Sequence, residues 1–377
     1  MQKKFFGILA DLAFGLQKKQ FVYEKLKKNE EYFYFQQPEL VKAIQELGLF
    51  MLENGIVTEE GVPLAPQNET DAINNYFSKT LDEWPCGKHP HFQNLLVYQE
   101  NEERLIYLSP ERTHYEVTSW CEELAAASQS FNYEAMQGAV YEQFAFVSEE
   151  QYVFLRKYII EHPIINLIDK YEFNQSGKKM GLTTDYMDKF IETAFEPIPE
   201  NVVGICGFCK WTVVKTTFNE RCIDRLCYNN TDNFFHVEEI KDKTTKLRLK
   251  PGVMKFMSLP GKDELELYEY CKALKLDVAL WPDKDRYDLK IVTSSTVLAV
   301  DVKSYFSPYL LAHHIESKGI FKNLQGSERR ILVVPDHRVQ KKDYIQIIRN
   351  ILDDKGVESM TMKSLKKIVR EEAKRNG

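Results

Sequence analysis

Two aspartates and a lysine in the C-terminal third have the types and spacing for hydrolysing a phosphate ester. Asp288 opens the apolar stretch DLKIV, and Asp301 and Lys303 lie thirteen residues on, in VLAVDVK. Side chains alternate along a strand, so Asp301 and Lys303 emerge on one face. An acid and a base among Leu, Ala and Val are costly there unless paired or metal-bound. A turn through TSST would make a hairpin that sets Asp288 beside Asp301. Two converging carboxylates suit a hard divalent cation, Mg2+ or Mn2+. Such an ion, held by Asp288, Asp301 and the Val302 carbonyl, supplies a nucleophilic water and relieves charge on the phosphate oxygens. Lys303 would position that water or offset the phosphate charge. Upstream, in ELELYEYCKAL, Glu264 lies nearer the apolar face of a helix than Glu266, and Glu269 points furthest away. Glu264 is therefore the expected fourth group of the site.

Two other readings of this set stay open. Asp301 and Lys303 can form an ordinary ion pair at a strand end, with Asp288 in a turn. Alternatively, the domain binds DNA without cutting it. Arg329, Arg330, Arg338, Lys341 and Lys342 suit a phosphate backbone in either case. His313 and His314 sit on the helix expected after the motif, where a packing or phosphate-contact role suits them better than general-acid work.

Four of the seven cysteines are clustered: Cys206, Cys209, Cys222 and Cys227, as C-x2-C, twelve residues, then C-x4-C. Zn2+ takes four soft ligands in a tetrahedron, and a two-residue gap turns both sulfurs of a knuckle toward one ion. Gly207 is expected to relieve crowding in the first knuckle. The segment KWTVVKTTF between the pairs reads as a hairpin. This is the layout of a zinc ribbon, and a closed four-cysteine site has a structural role. Scattered free thiols are the bland alternative. His236 is a substitute ligand. Cys86, His89 and His91 offer only three close ligands in a Pro-bearing loop and make a poor second site. Cys121 and Cys271 read as buried apolar residues.

The elements that must position these groups follow from periodicity. A helix capped by Asp263 precedes strands at DVALW, DLKIV and VLAVDVK. A helix at SPYLLAHHIESKG, a strand at RRILVVPD and a basic helix at MKSLKKIVREEAKRN complete the region. Residues 1–200 read as mainly helical, with strand-like pieces at NLLVYQ and RLIYLS. The expected division is 1–200 helical, 201–258 zinc ribbon and 259–377 the carboxylate-bearing domain, an α/β (α+β) chain.

Length and charge agree with this division. A chain of 377 residues has room for two or three domains. Residues 201–377 hold 32 Lys and Arg against 24 Asp and Glu, leaving 18 against 32 for residues 1–200. The basic half is compatible with DNA, and the acidic half more naturally meets another protein. Solvated faces explain both sets equally well. No apolar run approaches the ~20 residues needed to span a membrane. The opening MQKKFFGILADLAFGL is interrupted by Asp11 and reads as an amphipathic helix, which leaves the cytoplasm as the expected location.

Asp288 followed by Asp301-Val302-Lys303 resembles the D…(D/E)xK motif of the PD-(D/E)XK nuclease superfamily, and the helix–strand–strand–strand order is similar to its core. The resemblance covers about 80 residues. Tyr287 stands where the superfamily has Pro, and Pro282-Asp283 falls in a loop, which keeps Asp283 and Asp285 as outside alternatives to Asp288. The phrase LWPDKDRYDLKI…VLAVDVKSY with its upstream zinc ribbon also resembles the restriction-endonuclease-related proteins encoded beside bacterial PIWI-type and helicase proteins. That resemblance implies a Mg2+-dependent endodeoxyribonuclease in anti-phage or anti-plasmid defence. PIWI-like or helicase partners would dock on the N-terminal region. Cutting both strands of a duplex would favour a homodimer.

Overall fold

The computed structural model describes residues 2–26, 36–96, 103–109, 115–128, 133–215, 220–224, 227, 237–318, 320–321, 328–339, 343–352 and 356–376. The chain divides into two compact units, Met1–Phe131 and Asn132–Gly377. The sequence places its first boundary at 200 instead. The helices between 133 and 194 share a core with the C-terminal sheet, so chain compactness breaks earlier than the change in local pattern.

In the first unit, the Gln2–Leu26 helix packs against the Pro38–Glu53 and Ser119–Ala127 helices. Its Phe5, Leu9, Leu12 and Leu16 recur at helical spacing and are buried. A short hairpin joins β1 (Ile106–Leu108) to β2 (Tyr115–Val117), as RLIYLS predicts. The first half of the other strand-like piece is corrected: Asn94, Leu95 and Leu96 lie in the Pro90–Leu96 helix, where burial of Phe92, Leu95 and Leu96 on one face outweighs their strand propensity, and Val97, Tyr98 and Gln99 lie outside the described residues. No helix among the described residues is long and apolar enough to cross a membrane.

The second unit begins with helices at Tyr133–Phe144, Glu149–Glu161, Leu167–Lys179 and Thr184–Ala194. Its strands are β3 (Ile164–Ile165), β4 (Phe195–Pro197), β5 (Val202–Cys206), β6 (Thr212–Lys215), β7 (Glu220–Arg221), β8 (Val237–Glu238) and β9 (Leu247–Leu249). Then come β10 (Asp277–Leu280), β11 (Leu289–Val292), β12 (Val297–Val302), β13 (Arg329–Val334) and β14 (Glu358–Thr361). They form three sheets: β3-β9-β4, β7-β6-β5-β8 and β10-β11-β12-β13-β14.

The five-stranded sheet is mixed. Strands β10, β11 and β12 are antiparallel, and β13 and β14 run parallel to β12. The crossover from β12 to β13 carries the Pro308–Lys318 helix, as parallel pairing requires. Leu298, Val300 and Val302 alternate with the opposite face of β12 and join one large core with Leu267 and Cys271 of the Leu259–Ala273 helix.

That helix departs from expectation at its start. Asp263 does not cap it; the chain enters through a helical turn at Pro251 and a π-helical turn at Met254–Ser258. Asp263 is thus one turn inside the helix. Gly261, Glu264, Leu267 and Cys271 form its buried stripe. At Gly261 a Cβ would meet Ile160 Cδ1 at 2.4 Å, so glycine permits close approach of the Glu149–Glu161 helix. Ser148 starts the latter helix through a capping box with Gln151.

Candidate active site and metal centre

Asp288 lies immediately before β11, and its amide donates to Val300 O at 3.0 Å. Asp301 is the penultimate residue of β12, and Lys303 follows the strand's end. The antiparallel pairing of β11 with β12 brings the three together. Val302 N donates to Asp288 Oδ2 at 2.6 Å. Lys303 Nζ donates to Asp301 Oδ1 and lies 3.7 Å from Asp288 Oδ2. The Val302 carbonyl points to the same side as its N–H, toward Asp288, because both groups of an extended residue face one neighbour.

Glu264 reaches the same place from the helix. It is 3% exposed, against 4% for Asp288 and 6% for Asp301. Glu266 and Glu269 are exposed and pair with Lys366 and Lys157. Glu264 Oε2 accepts from Trp281 Nε1 and, at 2.9 Å, from Arg156 Nη2. Arg156 also ion-pairs with Asp285 and donates to Tyr152 OH at 2.7 Å. Asp285 accepts from Tyr141 OH at 3.2 Å, whereas Asp283 is exposed and pairs with Arg286.

Four carboxyl groups, the buried Glu264, Asp288 and Asp301 and the half-buried Asp285, therefore share this space with two cations, Arg156 and Lys303. Burial pushes Asp288 well above the carboxylate range, with Glu264, Asp301 and Asp285 adding to the shift and Lys303 opposing it. Burial likewise raises Glu264 against the pull of Arg156. Burial would raise Asp285 too, but Arg156 overrides it and holds that carboxyl low. Burial alone would lower Lys303, yet Asp288 and Asp301 hold its ammonium well above the usual value. The excess of two negative charges equals the charge of one divalent ion, and otherwise a proton on Asp288 relieves part of it. In this respect the residues fit a hard cation. They are not gathered as tightly as the cysteines: among the described residues only the cysteine quartet brings three or more ligand atoms within 4.8 Å of one another.

Three features here were not read from sequence. Arg156 sits 108 positions before Glu264 on a helix whose local pattern gives it no special standing. Asp285 is spoken for by Arg156. The loop Trp281–Asp285 holds Trp281, Asp283, Lys284 and Asp285 at positive φ without a glycine. Such residues cost on the order of 1–3 kcal/mol each and persist only where surroundings impose them.

Two of the five proposed phosphate contacts, Arg329 and Arg338, are engaged elsewhere. Arg329 pairs with Glu358 through Nε and Nη2. Arg338 donates to Ser304 Oγ at 2.8 Å and to Asp224 at 2.6 Å. Arg330 is half-buried on β13. The ring of His314 lies 5.4 Å from that of Tyr305. Lys341, Lys342, His236 and the side chain of His313 lie outside the described residues.

Cys206 ends β5 and Cys209 follows in the knuckle, where Cys206 N donates to Trp211 O at 2.7 Å. Lys210, also in this knuckle, is left-handed, with φ 62°. All four cysteines are buried and their sulfurs lie within 4.8 Å of one another. A tetrahedral zinc–thiolate site would space sulfurs by about 3.8 Å, so the quartet fits such an ion. Hydrogen bonds from Cys209, Cys222 and Cys227 drive Cys206 far down toward thiolate, while Cys222 and Cys227 are pushed up as donors. Cys86, His89 and His91 do not gather this way. Two bonds tie the cysteine module to the site: Lys262 Nζ to Cys209 O at 2.6 Å, and Arg338 to Asp224.

Asp263, beside Glu264 in sequence, faces Arg338 and His337. Burial pushes its carboxyl up to about 7, against the opposing pull of Arg338 and a Ser304 hydrogen bond. Because the folded value exceeds the unfolded one, the contribution to stability is full below about pH 4 and is lost as pH rises toward 7. At about 1.4 kcal/mol per unit, the loss is on the order of 4 kcal/mol. Asp263→Asn is therefore expected to match wild type near pH 4 and to melt higher at pH 8. Thermal denaturation across that range checks this, and equal melting at pH 8 contradicts it.

No curated protein and no solved structure matches the chain. Residues 261–377, which contain Glu264, Asp288, Asp301 and Lys303 but neither Arg156 nor the cysteine quartet, match a family model. Its description is "REase associating with pPIWI_RE", REase standing for restriction endonuclease. This C-terminal part of the chain is thus similar to that restriction-endonuclease-related family.

Proposed function

We propose that the protein is a Mg2+- or Mn2+-dependent nuclease that hydrolyses DNA phosphodiester bonds. It works beside a PIWI-type protein in bacterial defence against phages or plasmids. The observation that carries this reading is the buried excess of carboxylates at the end of β12, with Lys303 between Asp288 and Asp301. Asp288, Asp301 and the Val302 carbonyl would hold the divalent ion, with Glu264 as a fourth ligand. The ion would supply a nucleophilic water and offset charge on the phosphate. Lys303 then orients the attacking water or stabilises the charge that builds on the phosphate oxygens. Val302 N keeps the Asp288 carboxylate aimed at the site. The cysteine quartet takes structural Zn2+, and its links through Lys262, on the helix of Glu264, and Arg338, in the turn after β13, hold the rim of the site in shape. The N-terminal unit serves as the partner surface, and a homodimer would provide two sites for a duplex.

One observation favours a second reading, a zinc-containing DNA-binding adaptor without catalysis. The carboxylates do not close on a common point as the cysteines do, and Arg156 and Lys303 already neutralise part of their charge. The full-length protein, alone and with its PIWI-type partner, is incubated with duplex DNA in Mg2+, Mn2+ or EDTA. Divalent-dependent cleavage supports the nuclease. Salt-sensitive binding without cleavage in any condition assigns the chain to the adaptor.

A further inference from the structure

We propose that Arg156 is a positioning residue of the carboxylate site, holding Glu264 and the Trp281–Asp285 loop in the arrangement that receives a divalent cation. The proposal rests on the nuclease reading for the assignment of Glu264 as a metal ligand. It extends the working site beyond residues 261–377, into helices that the family model does not cover.

The geometry points to a clamp. Arg156 is 4% exposed, and its guanidinium carbon lies 4.3 Å from the centre of the Trp281 ring. One end of its fork bonds Glu264 Oε2 and the other reaches Asp285 and Tyr152. A planar guanidinium serves acceptors in fixed directions, which an ammonium cannot do. Trp281 Nε1 donates to the same Glu264 oxygen. The carboxylate is thereby turned as well as neutralised.

Register between the helices is set one turn away. Ile160 lies one turn after Arg156, Gly261 one turn before Glu264, and these two touch. The loop is held from the same side. Asp285 accepts from Tyr141 OH, and Asp283 N donates to Glu149 Oε1 at 3.0 Å. Tyr141, Glu149, Tyr152 and Arg156 thus restrain a stretch with four residues at positive φ, three positions before Asp288. Partners of this kind orient metal ligands, and their loss typically weakens metal binding about 10- to 100-fold.

The test is a double-mutant cycle in the full-length protein, read by Mn2+ binding in an electron paramagnetic resonance titration and by DNA cleavage. Arg156→Gln is expected to weaken Mn2+ binding about tenfold or more. In a Glu264→Gln background the same change is expected to cost clearly less, because the part of its effect that runs through Glu264 is already gone. Arg156→Lys keeps the charge without the fork, and carries the same cycle if Arg156→Gln does not fold. It is expected to recover only part of the binding. Losses that add in full to those of Glu264→Gln overturn the clamp, as does Mn2+ binding equal to wild type in both Arg156 variants. Wild type that binds Mn2+ but leaves DNA uncut, with and without its PIWI-type partner, ends the nuclease reading alone, and the clamp is still judged on binding. Wild type that binds no Mn2+ overturns both.

Discussion

Asp301→Ala and Lys303→Ala are each expected to lower divalent-dependent DNA cleavage by about 10³-fold or more, and Asp288→Asn to do so without lowering the melting temperature. The three substitutions separate function from stability because the groups are unequal in the free protein. Asp301 is the direct partner of Lys303. Its removal leaves an ammonium with the more distant Asp288 carboxylate, 3.7 Å away. Lys303→Ala leaves two buried carboxylates without their shared cation and is expected to destabilise as well. Breaking a buried pair by removing one member typically costs about 3–5 kcal/mol. Asp288→Asn keeps an oxygen to accept from Val302 N and removes one charge from the surplus. Burial already pushes this carboxyl well above its usual range, so its ionised form is the costly one. The native protein loses stability as pH rises through the folded value, and the asparagine variant does not. An inactive Asp288→Asn protein that melts at or above wild type is the expected result. A variant that still cuts at the native rate would end the assignment of that residue.

Cys206→Ser, or any equivalent change in the quartet, is expected to abolish stoichiometric zinc and to unfold the β5–β8 module. Apparent binding energies at structural thiolate sites are about 10–16 kcal/mol near neutral pH. Whole domains are stable by about 5–15 kcal/mol, so the ion accounts for most of what holds such a module together. Two of the four strands here, β7 and β8, have only two residues each, so they add little support of their own. Metal content by elemental analysis, with limited proteolysis across residues 202–238, reads both effects. An unchanged melting temperature in the variant would contradict the structural role.

The carboxylate–lysine set was legible because a period of two fixes which side chains share a strand face. Two charges on the buried stretch around Asp301 single it out, although an ordinary ion pair would also satisfy them. Glu264 was chosen over Glu266 and Glu269 on helical spacing, and burial separates them in the same way. The quartet was legible from spacing alone. Arg156 was not, because its partners lie across more than a hundred residues and an arginine within YVFLRKYII looks like any other. The positive φ values at Trp281 and Asp283–Asp285 were hidden too, since no glycine marks them. Asp263 read as a cap, but the helix already begins at Leu259. The boundary at 131 leaves no trace in composition, since helical segments lie on both sides.

The core that unites Val140 with Val369 has a further consequence. Residues 261–377, the part that the family model matches, share this core with helices that lie outside the match. Expressing residues 261–377 alone would strip solvent protection from Leu267, Cys271 and Trp281, which lean on Met254, Tyr152 and their neighbours. What inheritance keeps recognisable is thus smaller than what thermodynamics requires to fold, and fragments chosen by kinship alone would aggregate.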